Sequence, residues 1–111
     1  MTDSTNDALI QAVHIDDVPA EVVSAGIVRR RLPASGFARG WLIDFEPGAV
    51  WPAVDHHAAE ERYFVLAGEI IDNGQCYRAG TYVVFAPGSS HRPSTDTGAR
   101  IIGISDSRGT A

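Results

Sequence analysis

The chain has 111 residues, 44% apolar and 8% aromatic, enough for one compact domain and too few for a second independent core. Fourteen acidic against nine basic residues leave a formal charge of -5, which argues against a surface built to neutralise phosphates, so nucleic acid is not an expected partner. All nine basic residues are arginine, which excludes Schiff-base chemistry at a lysine and a P-loop lysine.

The single Cys76 can neither close an intrachain disulfide nor supply a multi-cysteine zinc site. A reducing cytoplasm is the expected compartment. Residues 1–12 are polar and acidic, unlike a signal or transit peptide, and no apolar run approaches the ~18 residues of a membrane span. No membrane association is expected.

In chain order, residues 5–13 carry a short, weakly amphipathic helical pattern that Asp16, Asp17, Val18 and Pro19 stop. Residues 21–24, 27–32 and 40–45 read as short strands, the last with Trp41, Ile43 and Phe45 alternating against Leu42 and Asp44. Glu46-Pro47-Gly48 turns the chain, and residues 50–54 begin another extended stretch. Residues 62–67 form an almost unbroken apolar run suited to a strand covered on both faces, ended by Gly68. Residues 69–71 and 75–77 flank Asp72-Asn73-Gly74, whose Asn-Gly dipeptide suits the positive φ angles of a tight hairpin. Residues 81–86 and 99–105 supply two further strands, and Pro87-Gly88 closes the first of them.

Short strands at near-regular spacing with Gly/Pro turns predict an all-β fold, an antiparallel β-barrel or jelly roll in one domain. Residues 14–105 form that barrel domain. Residues 1–13 are a poorly ordered or short helical segment, and residues 106–111 are a tail without the apolar content to pack. Exposed edges in so small a β domain invite pairing with a second copy through the N-terminal strands, so a homodimer is expected. In the run Arg29-Arg30-Arg31, alternation sends Arg30 to the opposite face from its neighbours, which reads as a solvated or dimer-edge strand.

His56 and His57 with Glu60 and Glu61 behind them, and His91 after Pro87-Gly88-Ser89-Ser90, collect the imidazoles and carboxylates that bind zinc, iron, manganese or nickel. A ligand near 56 and one at 61 converge only if the chain turns at Ala58-Ala59. These stretches, 48–68 and 80–91, resemble the paired motifs of the cupin superfamily, RmlC-like small barrels. In the first motif Gly48, Pro52, His56, Glu61 and Gly68 match; in the second, Gly80, the strand 82–85, Gly88 and His91 match. The stretch 86–98 looks most like the cupin domains of ChrR-type anti-sigma factors, without their helical sigma-binding domain.

In this register the first histidine of the family's His-x-His falls on Val54. A register shifted by one residue places Asp55 and His57 in those slots, three residues before Glu61, whereas Pro52 favours the first register. The resemblance thus implies one divalent transition metal (Fe, Zn, Mn or Ni) held by His56, Glu61 and His91, with His57 or Asp55 as the further candidates. Two histidines and a carboxylate suit non-haem iron, and three ligands plus water suit catalytic zinc.

Tyr63 shares strand parity with Glu61 and is either a proton donor or a packing residue; His57 is the other candidate for moving protons. Arg62 and Arg92 are candidates for binding a substrate carboxylate, against simple pairing with Glu60 or Asp96, and Trp51 is a candidate pocket wall. Cys76 has no nearby cation to activate it. By resemblance the chain is a metal-dependent enzyme on a small organic substrate, of dioxygenase or carbonyl-polarising isomerase or cyclase type. The competing class is a non-catalytic, metal- or metabolite-sensing ChrR-like module.

Overall fold

A computed structural model of the chain describes residues 8–106. Nine strands fall within them: β1 (Glu21–Ser24), β2 (Ile27–Arg31), β3 (Ala38–Phe45), β4 (Asp55–His56), β5 (Glu61–Asp72), β6 (Gln75–Arg78), β7 (Tyr82–Phe85), β8 (Ser90–His91) and β9 (Ala99–Asp106). The principal sheet runs β1-β2-β3-β9-β5-β6 with β7 also on β5, and β4-β8 forms a separate ladder. Every pairing is antiparallel. The all-β, antiparallel, jelly-roll expectation therefore holds.

The second layer is larger than its two short strands. Thr95 N donates to Ala49 O (3.0 Å), Trp51 N to Pro93 O (2.8 Å), His57 N to Ser89 O (3.0 Å) and Gly88 N to His57 O (2.8 Å), so residues 48–57 run against 88–95. Of the extended stretch expected at 50–54, Val50 and Trp51 pair with Ser94 and Pro93, whereas the chain bends at Pro52 and Ala53 before β4. Ser94 and Ile71 exchange backbone bonds of 2.8 and 3.0 Å, which ties the layer to β5 and closes the barrel on that side.

The side chains of Ile27, Phe45, Tyr63, Val65, Ile70, Phe85 and Ile101 fill the interior. Removing each such side chain from water contributes about 1.5–3 kcal/mol. The apolar run in β5 departs from expectation: Tyr63 and Val65 are buried, but Phe64 and Leu66 are exposed, so only one face is covered. The strand is one element of an antiparallel sheet and obeys its alternation.

Nor does Gly68 end β5. The register with β9 shifts between Val65 and Ala67, and the strand continues through Gly68 to pair with β6. Gly68 has φ +68, and a Cβ there would collide with the Gly98 carbonyl oxygen, so the crossing needs glycine. The hairpin lies where the Asn-Gly dipeptide puts it, with φ 49 at Asn73 and 76 at Gly74 between Asp72 and its partner Gln75.

The helical pattern at 5–13 begins outside the described residues; within them Ala8 is helical, Leu9 lies in a turn and residues 10–13 are not helical, and a 3-10 turn follows at Ile15–Asp17, capped by His14 Nδ1 accepting from Asp16 N at 3.1 Å. Of the tail, Asp106 completes β9 and residues 107–111 lie outside the described residues. On β2, Arg29 and Arg31 both reach Glu21 Oε1 (3.2 and 2.8 Å), while Arg30 turns to Asp44 (2.9 Å), as alternation requires. Among the described residues no helix is long and apolar enough to cross a membrane.

Candidate functional site

Alternation along β4 decides which histidine faces inward. Asp55 and His57 share one face, whereas His56 points to the other and is exposed, opposite Ser90. Asp55 lies opposite His91 across the ladder, and one ligand atom from each of Asp55, His57 and His91 lies within 4.8 Å of the others. Among the described residues this is the one such group of three. Of the two sequence registers, this is the shifted one, despite Pro52. Val54 is half exposed on the same outward face as His56.

Each histidine meets a carboxylate from β5 at its Nδ1. After the bend at 58–59, Glu61 Oε2 lies 2.6 Å from His57 Nδ1, so Glu61 converges on His57 rather than on His56. Asp72, at the other end of β5 and fully buried, accepts from His91 Nδ1 at 2.7 Å. The Tyr63 hydroxyl donates to the same Asp72 oxygen at 2.9 Å. With Nδ1 of each ring committed to a carboxylate, Nε2 keeps the lone pair that a metal requires.

Two further observations test the fit to a metal. His57 Nε2 is buried with no hydrogen-bond partner, a cost that a bound ion would remove. His91 Nε2 lies 3.9 Å from Asp55 Oδ2, too far for a direct bond, as two ligands of one ion should be. Two imidazoles and a carboxylate suit a divalent transition metal with open coordination positions.

Burial, then repulsion by His91, holds the His57 imidazole below its usual pKa, with the Asp55 charge pulling the other way. Burial, then the Asp55 carboxylate, pushes the Glu61 carboxyl up to about 7, partly opposed by His91. Both shifts express one fact: the centre is short of solvent. The Tyr63 phenol is raised by burial and by the neighbouring Asp72 charge, so it is a held hydrogen-bond donor and a poor source of protons.

A cavity of about 390 Å³ opens in front of this cluster, with Asp55, His57 and Glu61 on one side and Arg29, Arg39, Trp41, Ile43 and Trp51 among its other walls. His56 borders it at the surface. Trp51 is thus placed at the pocket wall. Arg62 is not: it pairs with Glu60 (3.1 Å) and the Tyr82 hydroxyl (2.9 Å), because strand parity turns it opposite to Glu61 and Tyr63. Arg92 is spent on the carbonyls of Trp51 (2.8 Å) and Pro52 (3.4 Å).

Sequence reasoning missed three residues. Asp72 was read only as part of the hairpin, and Arg29 and Arg39 were not placed at a pocket. Alternation could have put Arg39 on the face of Trp41 and Ile43, but no local signal joins Asp72 to His91. Cys76 is exposed, and its thiol is raised above its usual pKa chiefly by the hydrogen bond to Glu69 at 3.0 Å, which leaves it unactivated.

Residues 9–104 match the ChrR Cupin-like domain family. No curated protein matches the chain. Among solved structures, it is similar to an RmlC-like cupin from Shewanella frigidimarina NCIMB 400, at 22% identity and TM-score 0.78 over 85% of this chain and 87% of that one. A putative acetylacetone dioxygenase from Methylibium petroleiphilum PM1 aligns at 16% identity and TM-score 0.78, covering 91% and 84%. The anti-sigma factor ChrR, solved with SigE from Rhodobacter sphaeroides, aligns at 22% identity and TM-score 0.75 over 84% of this chain and only 51% of that one. With residues 9–104 of its 111 matched by the family model, and with the barrel and its inward histidines in place, this chain belongs to the ChrR Cupin-like domain family.

Proposed function

We propose that the chain is a metal-dependent enzyme acting on a small organic molecule, its metal held by Asp55, His57 and His91. The observation that carries this reading is the convergence of Asp55, His57 and His91, one ligand atom of each within 4.8 Å of the others, with His57 Nε2 buried and without a hydrogen-bond partner. A divalent ion held there would supply Lewis-acid polarisation of a carbonyl or enolate oxygen, or redox chemistry if it is iron. Glu61 and Asp72 fix the tautomer and direction of the two rings, and Tyr63 holds Asp72.

In this reading Glu61 orients His57 through Nδ1, whereas the resemblance made it a direct ligand. It also borders the cavity, and with a carboxyl pushed up to about 7 it is placed to take or return a proton at substrate. His57, held at Nδ1 by Glu61 and given through its other nitrogen to the metal, would move none. Catalysis is favoured over sensing because three ligands leave positions open onto a cavity, whereas a sensor can close its shell with a fourth protein ligand.

The ChrR-like match keeps a second reading, a metal- or metabolite-sensing module that reports to a partner protein. Elemental analysis of protein purified without chelator tests the first point. Near-stoichiometric iron, zinc, manganese or nickel should vanish in His57→Ala and His91→Ala, fall in Asp55→Ala, and persist in His56→Ala. Loss with His56 and retention with His57 would refute this ligand set. The homodimer belongs to the same proposal: β1 is the sheet edge and Val22 on it is exposed. Sedimentation equilibrium showing only monomer would remove it.

A further inference from the structure

Strands β5 and β7 are apolar on both of their faces. Inside the barrel β5 buries Tyr63 and Val65 and β7 buries Phe85; outside, the same strands leave Phe64, Leu66, Tyr82 and Val84 exposed, the last two at 52% each. Pairing assembles the outer residues into rows. Ile102-Phe64-Tyr82 and Ile104-Arg62-Val84 each run straight across β9, β5 and β7. An antiparallel sheet with one solvated face carries polar residues on it. Here Arg62 is the one polar member of the two rows, so the apolar run at 62–67 keeps the composition of a strand covered on both sides although one chain covers one.

The chain covers only the β3 side of this outer face. Leu42 continues the first row on β3 and shares the outward parity of Asp44, yet it is buried. The 3-10 turn Ile15–Asp17 lies on that side: Arg100, held chiefly by Asp44, also feels the Asp16 carboxylate. From β9 to β7 the rows are bare. The residues leading into the turn are bare as well, with Leu9, Ile10 and Val13 all exposed, so their own barrel does not take up these side chains.

Charge and size select the occupant. In a chain of net charge -5 this face is balanced: Arg30 and Arg100 bind Asp44, and Arg62 binds Glu60 with Asp106 near it. A surface without an excess of either sign offers no hold to an anionic lipid surface or a highly charged peptide, whereas a second copy meets it with no like charges opposed. Three strands about 4.8 Å apart and five residues along β5 expose roughly 300 Å². That is less than half of the ~800 Å² each partner buries in a stable pair. Residues 8–13 can supply the shortfall, because six residues span up to ~20 Å, enough to cross three strands.

Deepening the homodimer reading, we propose that a second copy of the chain docks on the outer face of β9, β5 and β7, with residues 8–13 of each copy lying across the other's face. In a two-fold pair one patch serves both sides, so the apolar rows of the two copies face each other and β5 gains its second cover. The cavity lined by Trp41, Ile43, Asp55 and His57 lies on the inner side of the sheet and stays open.

Sedimentation equilibrium of the full chain over ~1–200 μM gives the dissociation constant of the pair. Val84→Glu and Leu66→Glu, both at exposed positions, should each weaken it at least about tenfold, because the charge enters the apolar contact twice in a two-fold pair. Ile10→Glu should weaken it about three- to tenfold, and the amides of residues 8–13 should exchange more slowly as protein concentration rises. Val22→Glu charges the β1 edge, at the opposite end of the strand order from β7, and should leave the constant within about threefold. An unchanged far-UV circular dichroism spectrum verifies the fold of each variant.

A parent that stays monomeric throughout this range overturns the proposal together with the homodimer itself. A parent that pairs with the same constant in Val84→Glu and Leu66→Glu overturns the face alone, and sensitivity to Val22→Glu would then place the dimer at the β1 edge. Weakening by both face variants with Ile10→Glu unchanged overturns the part given to residues 8–13.

Discussion

Replacing Asp72 by asparagine isolates the contribution of a charge that touches no ligand directly. Both hydrogen bonds to Asp72, from His91 Nδ1 and from Tyr63, end on Oδ2, and Oδ1 is buried without a partner. An asparagine can place its carbonyl oxygen where Oδ2 was and keep both bonds, with its amide where Oδ1 already lacked one. Geometry survives and the negative charge is lost. Hydrogen bonds to charged groups contribute about 1.5–3 kcal/mol against about 0.5–1.5 for neutral ones, so the grip on His91 falls by about 1 kcal/mol. Loss of such an outer partner weakens metal binding about 10- to 100-fold, or about 1.4–2.7 kcal/mol.

Metal-free stability should change far less, because an incompletely satisfied buried charge has been removed as well. Zinc competition against a chromophoric chelator measures the first quantity, and urea denaturation in EDTA the second. Asp72→Ala serves as the contrast: it strips the acceptor from both His91 and Tyr63 and should lower metal-free stability by about 1–3 kcal/mol for each donor left unpaired. Zinc affinity within twofold of the parent in Asp72→Asn would refute the argument that this carboxylate tunes His91.

Three other outcomes are expected. Gly88→Ala meets only the backbone cost of φ +91 in open space, about 1–2 kcal/mol, while Gly68→Ala adds a collision with the Gly98 carbonyl worth about 1–3 kcal/mol more; urea midpoints give both. Zinc in 100-fold excess over its Kd should stabilise the fold by about 2.7 kcal/mol, read by calorimetry as a rise in Tm of roughly 10 °C or more that EDTA abolishes and His91→Ala never shows. Because Glu69 holds the Cys76 thiol above its usual pKa, iodoacetamide at pH 8 should alkylate it more slowly than free cysteine, and Glu69→Gln should quicken the reaction.

The strand positions, the Asn73-Gly74 hairpin and the barrel class were legible because they depend on period-2 alternation and on local turn chemistry. The ends of β5 were not. Gly68 looks like a stop until the bulge beside Val65 and the close approach of Gly98 show why a glycine must sit inside the strand. At the site, sequence supplied the three histidines of interest and Glu61, but their order of importance needed the register of β4 against β8, which sends His56 outward and His57 inward. Pro52 favours the other register because a motif offset of one residue is invisible without that pairing. Arg62 and Arg92 were drawn in by adjacency to Glu61 and His91, whereas neighbours along a strand face opposite sides.

The candidate metal ligands and the groups that aim them come from parts of the fold with very different permanence. Glu61, Tyr63 and Asp72 ride on the twelve-residue β5, paired in the principal sheet with β9 on one side and with β6 and β7 on the other, while Asp55, His57 and His91 belong to a two-residue ladder and its flank. Local opening of that ladder exposes little of the core, so it should occur at a free energy well below global unfolding. An ion spanning residues 55–57 and 91 would act as a clasp on this one region. Amide exchange at His57 and Gly88, whose protons bridge the two segments, should then slow sharply on metal binding while β5 and β9 remain as protected as before. Metal loss, on this view, leaves a folded barrel with an unfastened mouth.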